Sequence, residues 1–237
     1  SSIGVVVAGL QELKRLLIET EINLTAENRR ITPAFLADLI EIGEQALYRI
    51  LPAECLLPVP QARSYDAALL FLIYPLQVVE TNIADQILNN VIVHLQGDYG
   101  IRRYLGDSFW CRDYRLIPPE IRTTVSTERE NWLQEQGRGL NLGEEAQWCI
   151  FDPIISAIFA LKFQSTGQEK YLNLQTHYFN RSLGQITGKD SPVGEFKCPE
   201  LYYLEQGKYI PNDATPLLWT QANLQIALEL IKKSLSQ

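Results

Sequence analysis

Apolar residues recur at helical spacing along most of this chain. Ser1-Ser2 precede Val6, Leu10, Leu13, Leu16 and Leu17, a pattern that predicts a capped amphipathic helix at the start. Thr32-Pro33 opens a second, with Thr as cap and Pro in the first turn. Phe35, Leu36, Leu39, Ile40, Ala46 and Leu47 form its stripe, and Pro52 ends it. A Pro-rich loop follows over 56–62. The third helix is predicted over 64–76, where Leu69 to Leu76 is the most apolar run of the chain. It is far shorter than the ~20 residues of a membrane span and reads as core. Asn82 to Leu95 gives a fourth, with Ile83, Ile87, Leu88, Val91, Ile92 and Leu95 on one face. Three more are predicted from Glu145 to Phe163, from Gln168 to Leu183 and from Thr215 to Ser234. Asp152-Pro153 falls inside the fifth and predicts a kink there.

Two long stretches carry neither period. Residues 96–144 hold Gly97, Gly100, Gly106 and Pro118-Pro119 among polar and aromatic residues, and 184–214 are similar. Loops of this length in a compact domain are usually functional or disordered, and Tyr99, Tyr104, Phe109, Trp110 and Tyr114 favour order in the first. About seven helices with no strand alternation predict an all-α fold: a bundle, a solenoid or a helical toroid. No self-repeat of fixed period is visible, which lowers the solenoid. Uneven loops gathered at one end fit a toroid best.

Composition narrows the partners. The net charge is -7, with Lys and Arg scattered, which argues against a nucleic-acid backbone. A neutral ligand fits better. Cysteines at 55, 111, 149 and 198 have no metal-ligand spacing, and His94 and His177 complete no zinc pattern, so neither metal nor cofactor is expected. Unpaired, buried thiols point to a reducing, cytoplasmic setting. No targeting segment or membrane span is visible. Met is absent even at position 1, and the chain opens on a helix, so it reads as a piece of a longer product.

The chemistry concentrates in two places. In Cys198-Pro199-Glu200-Leu201-Tyr202-Tyr203 a carboxylate sits on a segment stiffened by proline and followed by aromatics. Glu200 could act as a general base on water, although Glu195 and Glu205 compete and most loop carboxylates are simply solvated. A polar loop then leads to Thr215-Pro216 and Trp219, which reads as core or as a sugar platform. The earlier loop, Gly97 to Trp110, brings Arg102, Arg103, Asp98 and Asp107 beside aromatic faces. Sugars are bound that way, but the same residues can form an Arg–Asp brace within the loop. Glu144-Glu145 with Trp148 would stabilise the start of the fifth helix or line the same mouth.

Five segments in order resemble one family: the family-15 glycoside hydrolases (glucoamylases and relatives) together with the alpha/beta regulatory subunits of phosphorylase kinase. These are Ser1-Ser2-Ile3-Gly4; Ile50-Leu51-Pro52 through Asp66-Ala67-Ala68-Leu69-Leu70 to Tyr74-Pro75-Leu76; His94-Leu95-Gln96-Gly97-Asp98-Tyr99-Gly100 with Arg103-Tyr104; Glu145 to Trp148; and Pro199-Glu200-Leu201-Tyr202. The resemblance implies that residues 1–237 are the C-terminal half of one six-hairpin, (α/α)6 toroid domain acting on or binding α-glucan such as glycogen or maltooligosaccharide. It implies Glu200 as catalytic base and Arg103, Tyr104, Asp107, Trp110, Trp148, Tyr202 and Trp219 as substrate-binding residues. Inverting hydrolysis also needs a general acid, which in this family lies just upstream of the Ser-Ser helix and so in an N-terminal half absent here. Leu201 after the glutamate matches the kinase subunits more than the glucoamylases, while Gln147 departs from the kinase motif. Two functions stay open: an inverting glucan hydrolase, and a non-catalytic glucan-binding regulatory module with a protein partner. A ligand-free helical scaffold is the remaining possibility, and ordered, aromatic-rich loops are then an unexplained excess.

Overall fold

In a computed structural model of the chain all residues are described except 21, 23, 27, 28, 59–61 and 237, with Arg29 described for its backbone alone. The chain divides into two compact units, one made of 1–64 with 68–87 and the other of 65–67 with 88–237.

The first unit is built on two paired helices, α1 (Ser2–Thr20) and α2 (Pro33–Tyr48), joined by a short hairpin of β1 (Leu24–Ala26) and β2 (Arg29–Ile31). Thr32 caps α2 as its sequence predicts: its hydroxyl accepts the Phe35 N–H at 3.2 Å, and Pro33 takes the first turn. The helices approach closely at Gly43, where any Cβ would lie 2.6 Å from Val7 Cγ2. Val7, Leu36, Ile40 and Leu47 are buried. Val5, Val6, Ile18, Phe35 and Ile42 remain exposed on the same two helices. The predicted third helix is reduced to one 3₁₀ turn and the four-residue α3 (Leu70–Ile73). Leu69, Leu70 and Leu72 are buried, so the core reading of this segment holds while its length does not.

Helix α4 (Thr81–Asn90) leads into the second unit and widens into a π-helical turn over Val91–Leu95. The stretch after it holds two 3₁₀ turns and α5 (Ser126–Glu135) before β3 (Gln147–Trp148). The centre of this unit is α6 (Asp152–Thr166), packed against α7 (Glu169–Gly184) and, after β4 (Leu201–Glu205) and β5 (Lys208–Pro211), against α8 (Leu218–Leu235). Residues Asp152 to Ala160 of α6 are all buried, the mark of a helix surrounded on every side.

The all-α expectation holds for the bulk of the described residues, with three corrections in this unit. Residues 201–211 form an antiparallel hairpin, and β4 also pairs with β3 to give a sheet in the order β3-β4-β5. Asp152-Pro153 begins α6 instead of kinking it, with Pro153 in the first turn. Glu144-Glu145 therefore do not cap that helix and lie before β3. Among the described residues no helix is long and apolar enough to cross a membrane, and the four cysteines are free thiols.

Candidate functional site

The site is assembled on the β3-β4-β5 sheet. Ile101 extends it on one side, exchanging both backbone hydrogen bonds with Trp148 (3.1 and 2.8 Å). Gly100 is held against this edge: a Cβ there would lie 2.7 Å from the Trp148 carbonyl oxygen, so a side chain would push the loop off the sheet. Cys149 N–H donates to the Glu200 carbonyl at 2.9 Å, carrying the β3–β4 pairing up to the candidate acid.

Pairing register sorts the side chains onto two faces. Trp148 stands opposite Leu201 and Gln147 opposite Tyr202, so Trp148, Leu201 and Tyr203 share one face and Gln147 and Tyr202 the other. On the first face the Arg103 guanidinium lies 4.6 Å from the centre of the Trp148 ring and 5.1 Å from that of Phe109, with Tyr104 at 5.7 Å. Arg103 Nε and Nη2 donate to the two Asp107 carboxylate oxygens at 2.6 and 2.8 Å. Asp107 is only 1% exposed and also accepts the Phe109 N–H at 3.0 Å. Burial works against the Arg103 charge, but Asp107, with smaller help from Tyr104 and Asp66, leaves the guanidinium pKa raised. Of the two uses open to this loop, the Arg–Asp brace is present, and it orients the cation over an indole.

Glu145 and Gln147 fix the same loop from below. Glu145, fully buried, accepts the backbone N–H groups of Gly106 (2.9 Å) and Gly143 (2.8 Å) and pairs with Arg102 at 3.4 Å. Glu144 pairs with Arg112. Gln147 Oε1 accepts the N–H groups of Tyr99 (2.7 Å) and Gly100 (3.2 Å), so this position needs an acceptor and an amide supplies it without charge.

Glu200 is half-buried at the head of β4. Its Oε2 accepts Asn212 Nδ2 at 2.6 Å. Burial raises its pKa above the usual carboxylate range, and the Asn212 hydrogen bond and the positive charge of Arg103 pull it back in part. The segment is pinned to the start of α8: Leu217 N–H donates to the Cys198 carbonyl at 2.8 Å, and the Thr220 hydroxyl donates to that of Pro199, also at 2.8 Å. Trp219, between those anchors, is 50% exposed.

The structure thus brings Arg103, Tyr104, Asp107 and Trp148 together and sets Glu200 within their electrostatic reach. Trp110 belongs to an aromatic cluster behind them, its ring 4.9 Å from Tyr203 and 4.7 Å from Tyr114. Tyr202 projects from the opposite face, where its hydroxyl donates to the Gln185 carbonyl at 2.9 Å and its ring meets Tyr99 at 5.4 Å. Phe109, Gln147 and Asn212 escape the sequence reading. Phe109 sits in the flagged aromatic loop, but nothing marks Asn212 beyond its place in a polar turn. His94 stacks on Tyr65 at 3.9 Å and His177 lies edge-on to Tyr178. Among the described residues no cluster of His, Cys, Asp and Glu could hold a metal.

No family model matches the chain, and no curated protein matches its sequence. Solved structures similar to it include a wild-type glycosidase and a glycosidase carrying a tyrosine-to-phenylalanine substitution. Each has 15% identity and a TM-score of 0.57, over 97% of this chain and 51% of the other. The chain therefore spans about half the length of these neighbours. Its mostly helical fold is glycosidase-like.

Proposed function

We propose that these residues form the C-terminal half of an (α/α)6, family-15-like domain and that the complete domain is an inverting α-glucan hydrolase with Glu200 as general base. The observation that carries this reading is Glu200 itself: a half-buried carboxylate, hydrogen-bonded through one oxygen, in the field of an arginine stacked on an indole. In the reaction Glu200 takes a proton from water as the water oxygen bonds to the anomeric carbon and the glycosidic C–O bond breaks. The departing oxygen takes its proton from an acid on the other side of the bond, with the two carboxyls about 6.5–9.5 Å apart. Arg103 has Nη1 to offer a sugar hydroxyl, and the exposed indole of Trp219 offers a face to sugar C–H groups.

The nearby carboxylates of Asp107, Glu144, Glu145 and Asp152 are all paired with arginines. On this reading the acid belongs to the other half, and this chain alone is inactive. The exposed Val5, Val6, Ile18 and Ile42 of α1 and α2 give that half an apolar surface to cover. The engagement of these four carboxylates in ion pairs favours a second reading, a regulatory module that binds maltooligosaccharide without cleaving it. One experiment separates them. The complete protein is incubated with maltooligosaccharide and the anomer released is followed by NMR, with Glu200→Gln as the control. Release of β-glucose that Glu200→Gln abolishes supports the hydrolase. Saturable binding without release, weakened by Arg103→Ala or Trp219→Ala, supports the module.

A further inference from the structure

Asn212 is fully buried and held at both ends of its peptide unit. Its N–H donates to the Leu201 carbonyl at 3.2 Å and its carbonyl accepts the Thr215 hydroxyl at 2.9 Å. Glu200 is held likewise, its N–H on Ala214 and its carbonyl receiving Cys149 N–H. The 2.6 Å contact between the two side chains therefore joins two fixed backbones. The amide orientation is determined by chemistry: turned over, it would set two oxygens against each other at that distance. Among the described residues none donates a hydrogen bond to Asn212 Oδ1.

We propose that Asn212 is the positioning residue of Glu200, fixing Oε2 by its Nδ2–H so that Oε1 is the atom turned to the proton it removes. This deepens the reading of Glu200 as base and rests on it. Arg103 gives its Nε and Nη2 hydrogen bonds to Asp107 and acts on Glu200 through its charge. The other titratable groups around Glu200 are the thiols of Cys149 and Cys198. Asp152 at the start of α6 is paired with Arg181, and Asp213 beside Asn212 with Arg115. Asn212 is thus the neighbour that both touches the carboxylate and favours its charged form.

The test uses the complete protein with carboxyl-¹³C-glutamate, the Glu200 signal being assigned by its loss in Glu200→Gln. Asn212→Ala is expected to move the Glu200 titration up by roughly half to one pH unit. The acid limb of kcat/KM should move with it, and kcat should fall roughly ten- to a hundredfold with little change in KM. Asn212→Asp, which sets a second carboxylate there, should move the titration further. A folded Asn212→Ala whose Glu200 titration does not move overturns the proposal. If that variant does not fold, Asn212→Leu, close to asparagine in volume and without a donor, gives the same readout. If the titration moves but even the wild type releases no glucose, the pairing stands and the hydrolase reading falls.

Discussion

The two faces of the β3-β4-β5 sheet use the same strands and similar aromatic residues, yet they are built for different ends. On one face Arg103 and Asp107 pair beside Phe109 and Trp148, and the buried indole N–H of Trp148 has no acceptor among the described residues. On the other, Tyr99, Tyr202 and Tyr209 stack at 4.6 and 5.4 Å, and the hydroxyls of Tyr202 and Tyr209 donate to the carbonyls of Gln185 and Gly143. On the second face both of these tyrosine hydroxyls are hydrogen-bonded, as in a structural surface. The first keeps a cation and a donor beside a carboxylate whose proton affinity is raised. Polar groups left in that state cost stability, and sites that act on a ligand are where such costs recur.

If this contrast is right, the largest effect comes from Glu200→Gln in the complete protein: turnover of maltooligosaccharide should fall by about 10²–10⁴-fold, measured as initial glucose release. Next in size is Asp107→Ala. It leaves Arg103 over the indole without its counter-charge and should cost about 2–3 kcal/mol in chemical denaturation, held below the fully buried case because part of the guanidinium meets solvent. Smaller again is a shift in pH dependence. Glu200 must be ionised to act, so activity is lost as pH falls through its pKa. Arg103→Leu removes the charge that holds this pKa down, so the acid limb should move to higher pH in a kcat/KM profile. The smallest effect lies on the other face. Tyr202→Phe should cost about 1 kcal/mol in a thermal melt for its lost hydrogen bond and leave the pH profile where it was. A Tyr202→Phe enzyme with a shifted acid limb would erase the distinction between the faces.

The helices were legible wherever local rules decide them. Thr32-Pro33 supplies a cap and a first turn within two residues, and the Gln168 start of α7 is off by one. The sheet was not, because β4 offers only five residues, Leu201-Tyr202-Tyr203-Leu204-Glu205, and its partner β3 only two, far away along the chain. No window around Pro199 contains the pairing that turns a loop into a strand. Asp152-Pro153 misleads for a related reason: Trp148-Cys149-Ile150-Phe151 is apolar enough to look like one more helical turn, whereas Gln147 and Trp148 are sheet. In the site, Arg103, Asp107 and Trp148 could be flagged from residue type. Their separation from Tyr202 could not, since adjacent strand residues face opposite ways and the strand itself was unseen.

Ile101, Trp148 and Leu201 are successive neighbours across the sheet although roughly 50 residues separate each from the next, so two long chain excursions must close before Arg103 and Glu200 can meet. The juxtaposition of Arg103 and Glu200 is thereby a property of the finished second unit; a half-folded chain, however helical, leaves them apart, and their meeting reports whether the last non-local contacts have formed.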